Sequence, residues 1–253
     1  MAGISQEISP SWPGTVLFDA YGTLFDVHSV VACAEQLFPG RGDALSQLWR
    51  QKQIEYTQLR TLCGPGGEHY RGFLEITVDA LRYAAARLQL PFAEGAEKRL
   101  MDEYACLSAF PDTLPVLRQL RDAGVTLGIL SNGSPQMLDI ALKSAGMSGL
   151  FQHVLSVDAV RLYKTAAAAY ALGPKACGAA AGDIVFVSSN GWDVCGATWY
   201  GYTTFWVNRA GLPAEELGVA PHGQGRGMAE LPAFLRGGVS ARAKPVKPGS
   251  EAA

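Results

Sequence analysis

The sequence predicts an α/β fold: a parallel sheet flanked by helices, with a helical segment inserted after the first strand. Three observations carry this. Five short apolar runs are bounded by Gly, Asn, Asp or Ser, as strands buried on both faces tend to be. Amphipathic runs alternate with most of them, the pattern of a parallel sheet. One long stretch, from His28 to about Leu107, breaks the alternation and contains no convincing strand.

The first strand is predicted over Thr15–Phe18, and it stops on Asp19 followed by Gly22-Thr23. An aspartate at a strand end before a Gly-Thr turn suggests a nucleophile held at the edge of a sheet. The inserted segment carries "DALSQLWRQKQIEYTQLRTL" and "EITVDALRYAAARLQL". Leu45, Leu48, Lys52, Tyr56 and Leu59 recur three or four apart, which predicts one buried helix face. Gly64-Pro65-Gly66-Gly67 predicts a loop that breaks the insert. "DTLPVLRQLRDAG" and "SPQMLDIALKSAG" predict helices ending on Gly124 and Gly146, and "AAAAYALGPKACGAA" follows later. The other strands are predicted at Val125–Leu130, His153–Val157, Ile184–Val187 and Thr204–Val207. "GQGRG" at 223–227 neither follows a strand nor opens a helix and reads as a surface loop. The division is then a Rossmann-like core over 1–27 and 108–239, a helical cap domain over 28–107, and a loose polar tail over 240–253.

The chain has 253 residues, 48% hydrophobic and 17% charged, enough for one sizeable core or two modest ones. With 21 basic and 23 acidic residues its net charge is −2, which points away from nucleic acid and anionic membranes and towards a small-molecule partner. "MAGISQEISPSWPG" does not read as a signal peptide, and no apolar run approaches the ~20 residues that span a bilayer. Cys33, Cys63, Cys106, Cys177 and Cys195 are scattered, which predicts free thiols and a cytoplasmic protein. His28, His69, His153 and His222 show no ligand spacing.

Ligands of an open parallel sheet bind beyond the carboxyl ends of its strands. Those ends supply Asp19 and Thr23, then Ser131 and Asn132, then Lys164, then Ser188, Asn190, Trp192 and Asp193. Such convergence predicts a catalytic site.

"FDAYGTLFD", "WRQKQIEY", "LSNGSP" and "VSSNGWD", in this order, resemble the haloacid dehalogenase superfamily and, within it, the L-2-haloacid dehalogenase branch. The resemblance spans roughly 15 to 235. Superfamily phosphatases usually carry a second aspartate where this chain has Tyr21, its carbonyl helping to hold magnesium, and acidic residues in the fourth loop where it reads "SSNGWD". Too few carboxylates stand beside Asp19 for that ion, so neither a metal nor another cofactor is expected. The branch commonly has prolines just after the lysine; here Lys164 is followed by Thr165-Ala166-Ala167-Ala168-Ala169-Tyr170.

The resemblance implies hydrolysis of short (S)-2-haloacids to (R)-2-hydroxyacids and halide, with water as co-substrate. Asp19 would attack C2 and form an ester, with Lys164 as the counter-charge and Tyr170 orienting that lysine. Arg50, Asn132 and Trp192 would receive the halide, Arg50 from the far side of the substrate. Ser131 and the turn amides after Asp19, beginning at Ala20, would hold the substrate carboxylate. Tyr21, Gln51, Ile54, Phe73 and Trp192 would wall its alkyl group. Thr23, Ser188 and Asn190 would fix Asp19 and the attacking water, and Asp193 would be the base for ester hydrolysis. The family is often dimeric, which makes a homodimer possible. The alternatives are a magnesium-dependent phosphatase of the same superfamily and a catalytically silent binding module on this fold.

Overall fold

In the computed structural model, residues 12–237 are described; the tail expected over 240–253 lies outside them. The elements in chain order are β1 (Thr15–Phe18), α1 (Val31–Leu37), α2 (Gly42–Cys63), α3 (Phe73–Arg87), α4 (Glu94–Ala105), α5 (Thr113–Asp122), β2 (Thr126–Ser131), α6 (Pro135–Ser144) and β3 (His153–Ser156). They continue with α7 (Ala167–Tyr170), α8 (Leu172–Cys177), β4 (Ile184–Ser188), α9 (Gly191–Tyr200), β5 (Thr203–Val207), β6 (Gly223–Gly225) and α10 (Leu231–Arg236). The five expected strands form, their ends moved by no more than one residue.

The strands pair in parallel in the order β3-β2-β1-β4-β5-β6. β1 is therefore the point where the strand order reverses. A crevice opens at the carboxyl end of such a strand because the connections on its two sides diverge to opposite faces. That is where Asp19 stands.

β1 is buried along its whole length, and its side chains alternate between faces. Val16 and Phe18 join a cluster that continues into Leu45 and Trp49 of α2 and Phe73 and Ile76 of α3. Leu17 faces a second cluster with Leu130, Tyr170, Phe186 and Tyr202. The helices α1 to α4 thus share apolar packing with the face of the sheet that carries Phe18. The 64–67 segment is a loop between α2 and α3, as expected. At its Gly67 (φ 86°) a Cβ would lie 2.9 Å from the Arg161 carbonyl, so only glycine lets the loop approach the segment leading to Lys164 so closely.

Two expectations are corrected. The buried stripe of α2 is Leu45, Ser46, Trp49, Gln53 and Thr57, whereas Leu59 is 48% exposed and Leu48, Lys52 and Tyr56 are half-buried. α3 packs against a stripe containing polar groups because those groups bond to one another inside the contact, while the Lys52 ammonium sits 4.6 Å above the Tyr83 ring outside it. Gly223–Gly225 within "GQGRG" is an edge strand rather than a loop, with Phe205 opposite Gly223. Main-chain pairing alone makes that strand, so no side-chain alternation announces it.

Candidate active site

β1 donates one further ladder bond, from Asp19 N to Val187 O (2.9 Å), and then the chain turns sharply. The Ala20 carbonyl accepts the amides of Thr23, Leu24 and Phe25, and Gly22 takes φ 93°, a value that favours glycine. The turn leaves Asp19 only 5% exposed at the mouth of the crevice.

Three donors hold its carboxylate. Thr23 Oγ1 (2.8 Å) and Asn190 Nδ2 (2.9 Å) donate to Oδ2, and Lys164 Nζ (3.0 Å) donates to Oδ1. Lys164 Nζ also donates to Asp193 Oδ2 at 2.9 Å, so one ammonium joins two carboxylates. Lys164 is 1% exposed and Asp193 fully buried. Burial pulls the lysine down, but the two carboxylates outweigh it and its pKa is raised. Burial pushes the Asp193 carboxyl up, against the opposing pull of Lys164.

Tyr170 does not touch the Lys164 ammonium. Its hydroxyl donates to Asp193 Oδ1 at 2.7 Å, so it orients the acid rather than the lysine. The lysine is instead placed through its backbone, where Lys164 N donates to Asn132 Oδ1 at 3.0 Å. That bond identifies the acceptor end of the Asn132 amide and leaves Nδ2 as its donor end.

The cleft beside Asp19, about 290 Å³ including its mouth, is lined by Tyr21, Arg50, Ile54, Thr57, Phe73, Ser131, Asn132, Asn190 and Trp192. Tyr21 stacks on Tyr104 (5.7 Å, 10°) and packs on Phe73 (5.5 Å), which makes the wall aromatic. Burial pushes the Tyr21 hydroxyl pKa well up. Ser131 Oγ accepts from Gly133 N (3.0 Å), and Ser188 Oγ accepts from Asn190 N (3.1 Å), one step away from Asp19.

Ala20 is buried, and its carbonyl organises the turn. Two further site expectations need correction. Gln51 is exposed on α2 and does not line the cleft. Arg50 enters the cleft but lies down on the strand ends, where Nη2 donates to Tyr21 O (3.0 Å) and Asn190 Oδ1 (3.2 Å). Asn190 thereby bridges Arg50 to Asp19. The guanidinium does not stand across from the nucleophile.

Several participants escaped the sequence reading. Thr57 and Gln53 lie on the buried stripe of α2, and Gln53 Oε1 accepts from Arg50 Nη1 at 2.7 Å. Their i, i+3 spacing from Ile54 and Arg50 was the available signal. Ser189 N donates to Thr23 Oγ1 (2.8 Å), and Arg209 Nη1 donates to Ser189 Oγ (2.9 Å). Arg209 follows β5, so the strand-end rule, applied once more, reaches it. Among the described residues no group of three or more His, Cys, Asp or Glu could hold a metal ion.

The haloacid dehalogenase-like hydrolase family matches residues 13–201. The chain belongs to this family. Among curated relatives, a haloacetate dehalogenase of Moraxella sp. (strain B) is 46% identical over 206 residues, 81% of this chain and 90% of the relative. An (S)-2-haloacid dehalogenase of Pseudomonas sp. (strain YL) is also 46% identical over 206 residues, 81% of this chain and 87% of the relative. Among solved structures, an L-2-haloacid dehalogenase is 67% identical with a TM-score of 0.87, covering 89% of this chain and 100% of the other. The Xanthobacter autotrophicus L-2-haloacid dehalogenase with chloropropionic acid covalently bound is 36% identical with a TM-score of 0.81, covering 88% and 98%. Within the haloacid dehalogenase-like hydrolases, the chain therefore sits in the L-2-haloacid dehalogenase branch.

Proposed function

We propose that this hydrolase converts short (S)-2-haloacids to (R)-2-hydroxyacids and halide through an ester on Asp19, without a metal ion. The observation that carries this reading is the Asp19 carboxylate, held by three donors at the mouth of a small aromatic-walled cleft that also contains Arg50. Asp19 attacks C2 from behind, the new C–O bond forms as the carbon–halogen bond breaks, and the halide leaves with the bonding pair. Arg50, the Nδ2 end of Asn132 and Trp192 receive it, with Arg50 lifting from Tyr21 O and Asn190 to do so. Ser131 and the turn at Ala20 face the substrate carboxylate, while Tyr21, Ile54, Phe73 and Thr57 bound the alkyl group. Water then attacks the carboxyl carbon of Asp19, with Asp193 taking its proton; the bond from that carbon to the ester oxygen breaks, the departing alkoxide takes up the proton, and the C2–O bond survives into the hydroxy acid. The raised pKa of Asp193 suits a base.

One geometric detail argues against the phosphatase reading. The carbonyl of Tyr21, the position whose carbonyl helps hold magnesium in superfamily phosphatases, accepts from the Arg50 guanidinium (3.0 Å) and Asn190 Nδ2 (3.2 Å). An oxygen facing a cation and a second donor is a poor ligand for another cation. We read residues 28–107 as the cap domain and 1–27 with 108–239 as the core. The five unpaired cysteines fit a reducing compartment, taken here as the cytoplasm. Sizing of the purified chain tests the homodimer that the family resemblance implies.

The test is halide release from L- and D-2-chloropropionate, chloroacetate and fluoroacetate, with and without EDTA. Release from the L enantiomer, indifferent to EDTA, is the expected result. EDTA-sensitive hydrolysis of a phosphate ester, with no halide release, would overturn the proposal.

A further inference from the structure

We infer that Gln53 is a positioning residue for Arg50, holding the guanidinium in the cleft by a neutral amide so that its charge stays available to the leaving halide. This rests on the proposed reading of Arg50 as halide acceptor.

The amide has one workable orientation. Thr77 Oγ1 donates to the Phe73 carbonyl (2.7 Å), so it can only accept from Gln53, at 2.7 Å. The donor end of Gln53 therefore faces Thr77 and also meets Tyr104 OH at 3.0 Å. Its oxygen is left towards Arg50 Nη1, at 2.7 Å. Gln53, Thr77 and Tyr104 are all buried, and Trp49 Nε1 braces the Thr77 carbonyl at 2.8 Å. A buried amide with both ends occupied is a rigid anchor.

Position matters because Arg50 is a partition. One side faces the cleft with Asp19; the other faces a second cavity of about 180 Å³ lined by Val27, Ser46, Trp49, Gln53 and Tyr104. Without the bond from Nη1, the guanidinium has somewhere else to go. Charge matters too. The named acceptors of Arg50 are Gln53 Oε1, Tyr21 O and Asn190 Oδ1, all neutral oxygens. A carboxylate at Gln53 would pair with the guanidinium at the same distance and blunt its pull on an anion.

The experiment compares wild type, Gln53→Glu and Gln53→Leu. It reads kcat and KM for L-2-chloropropionate and bromide binding by tryptophan fluorescence. Gln53→Leu is expected to lower kcat about 10- to 100-fold with KM within about threefold, because a misplaced acceptor penalises the transition state. Gln53→Glu is expected to keep the guanidinium in place but to weaken bromide binding about tenfold, because the paired carboxylate stays ionised beside Arg50. A loss of bromide affinity larger in Gln53→Glu than in Gln53→Leu is a signature that loss of packing would not produce. Gln53→Glu nearly matches glutamine in shape, so it decides the matter if Gln53→Leu does not fold. The inference is overturned if wild type is active and both variants keep its kcat and bromide affinity. It is equally overturned if both lose activity alike and lose bromide affinity to the same extent. A wild type that releases no halide from L-2-chloropropionate sinks the proposed function instead, and with it the role assigned here.

Discussion

The two sides of the cleft hold their charges in opposite ways. At the strand ends, the Lys164 ammonium is shared between the Asp19 and Asp193 carboxylates, Thr23 and Asn190 donate to the other Asp19 oxygen, and Tyr170 donates to the other Asp193 oxygen. On the helical side, Arg50 is held by a glutamine amide, a carbonyl and an asparagine amide. The difference follows from what each charge would have to do. A carboxylate that attacks once per turnover and is regenerated can sit beside a permanent counter-ion. A cation that must accept an anion cannot, because a resident carboxylate would compete with every halide. On the proposed reading, charge pairing marks the fixed machinery and neutral hydrogen bonding marks the halide acceptor.

The largest effect should come from breaking the paired side. Lys164→Met leaves two buried carboxylates facing each other, so unfolding in urea should show a loss of about 3–5 kcal/mol and halide release should vanish. Near-wild-type stability would mean that the pairing contributes little to the fold.

Asp193→Asn separates the two half-reactions. Its shape and its bond to Tyr170 can survive, but the proton acceptor is lost. A quench experiment should then find about one halide released per site, and mass spectrometry should find the acyl remnant on Asp19. In wild type, a single turnover in heavy-oxygen water should label Asp19 and leave the first product unlabelled. Label in that product would place the water on C2 and sink the ester.

Alkaline pH should erode the paired side without any mutation. Lys164 has a raised pKa in the fold despite its burial, because two carboxylates outweigh that burial, and burial raises the Tyr170 hydroxyl. Above about pH 10 the unfolded chain loses both protons while the folded chain keeps them. The folded state then binds more protons than the unfolded one, so stability, complete below that range, falls as pH rises. Urea midpoints between pH 8 and 11 should decline, and Tyr170→Phe should decline less steeply by about one proton's worth. An unchanged slope in Tyr170→Phe would remove its hydroxyl from the account. The smallest effect is expected at Gln51→Ala, an exposed position, where kcat/KM should stay within about twofold.

Much of the strand-end side was legible from local pattern. Asp19, Thr23, Lys164 and Asn190 each follow an apolar run, and the rule that ligands gather beyond strand ends assembles them without coordinates. The helical side was harder. Gln51 and Gln53 differ by about 200° around a helix, and which of them faces the site depends on the helix's absolute rotation. Apolar spacing suggested a stripe through Leu45, Leu48, Lys52, Tyr56 and Leu59, but of these only Leu45 lies on the buried stripe, which continues through Trp49, Gln53 and Thr57. Polar residues in a buried stripe mislead any reading that counts apolar ones, because their burial is made possible by partners on another helix.

By itself, the sequence determined the five principal strands, the glycine turn after Asp19 and the polar residues at the strand ends. These depend on neighbours along the chain: apolar runs, a backbone conformation that favours glycine, and the place where a strand stops. Only the tertiary structure decided that Tyr170 serves Asp193 rather than Lys164, that Arg50 rests on Tyr21 O and Asn190, and that Gln53 rather than Gln51 holds it. Each of those is a choice among several donors and acceptors within reach. Hydrogen bonds weaken steeply with distance and misalignment, so the choice belongs to whichever packing brings two atoms to about 3 Å.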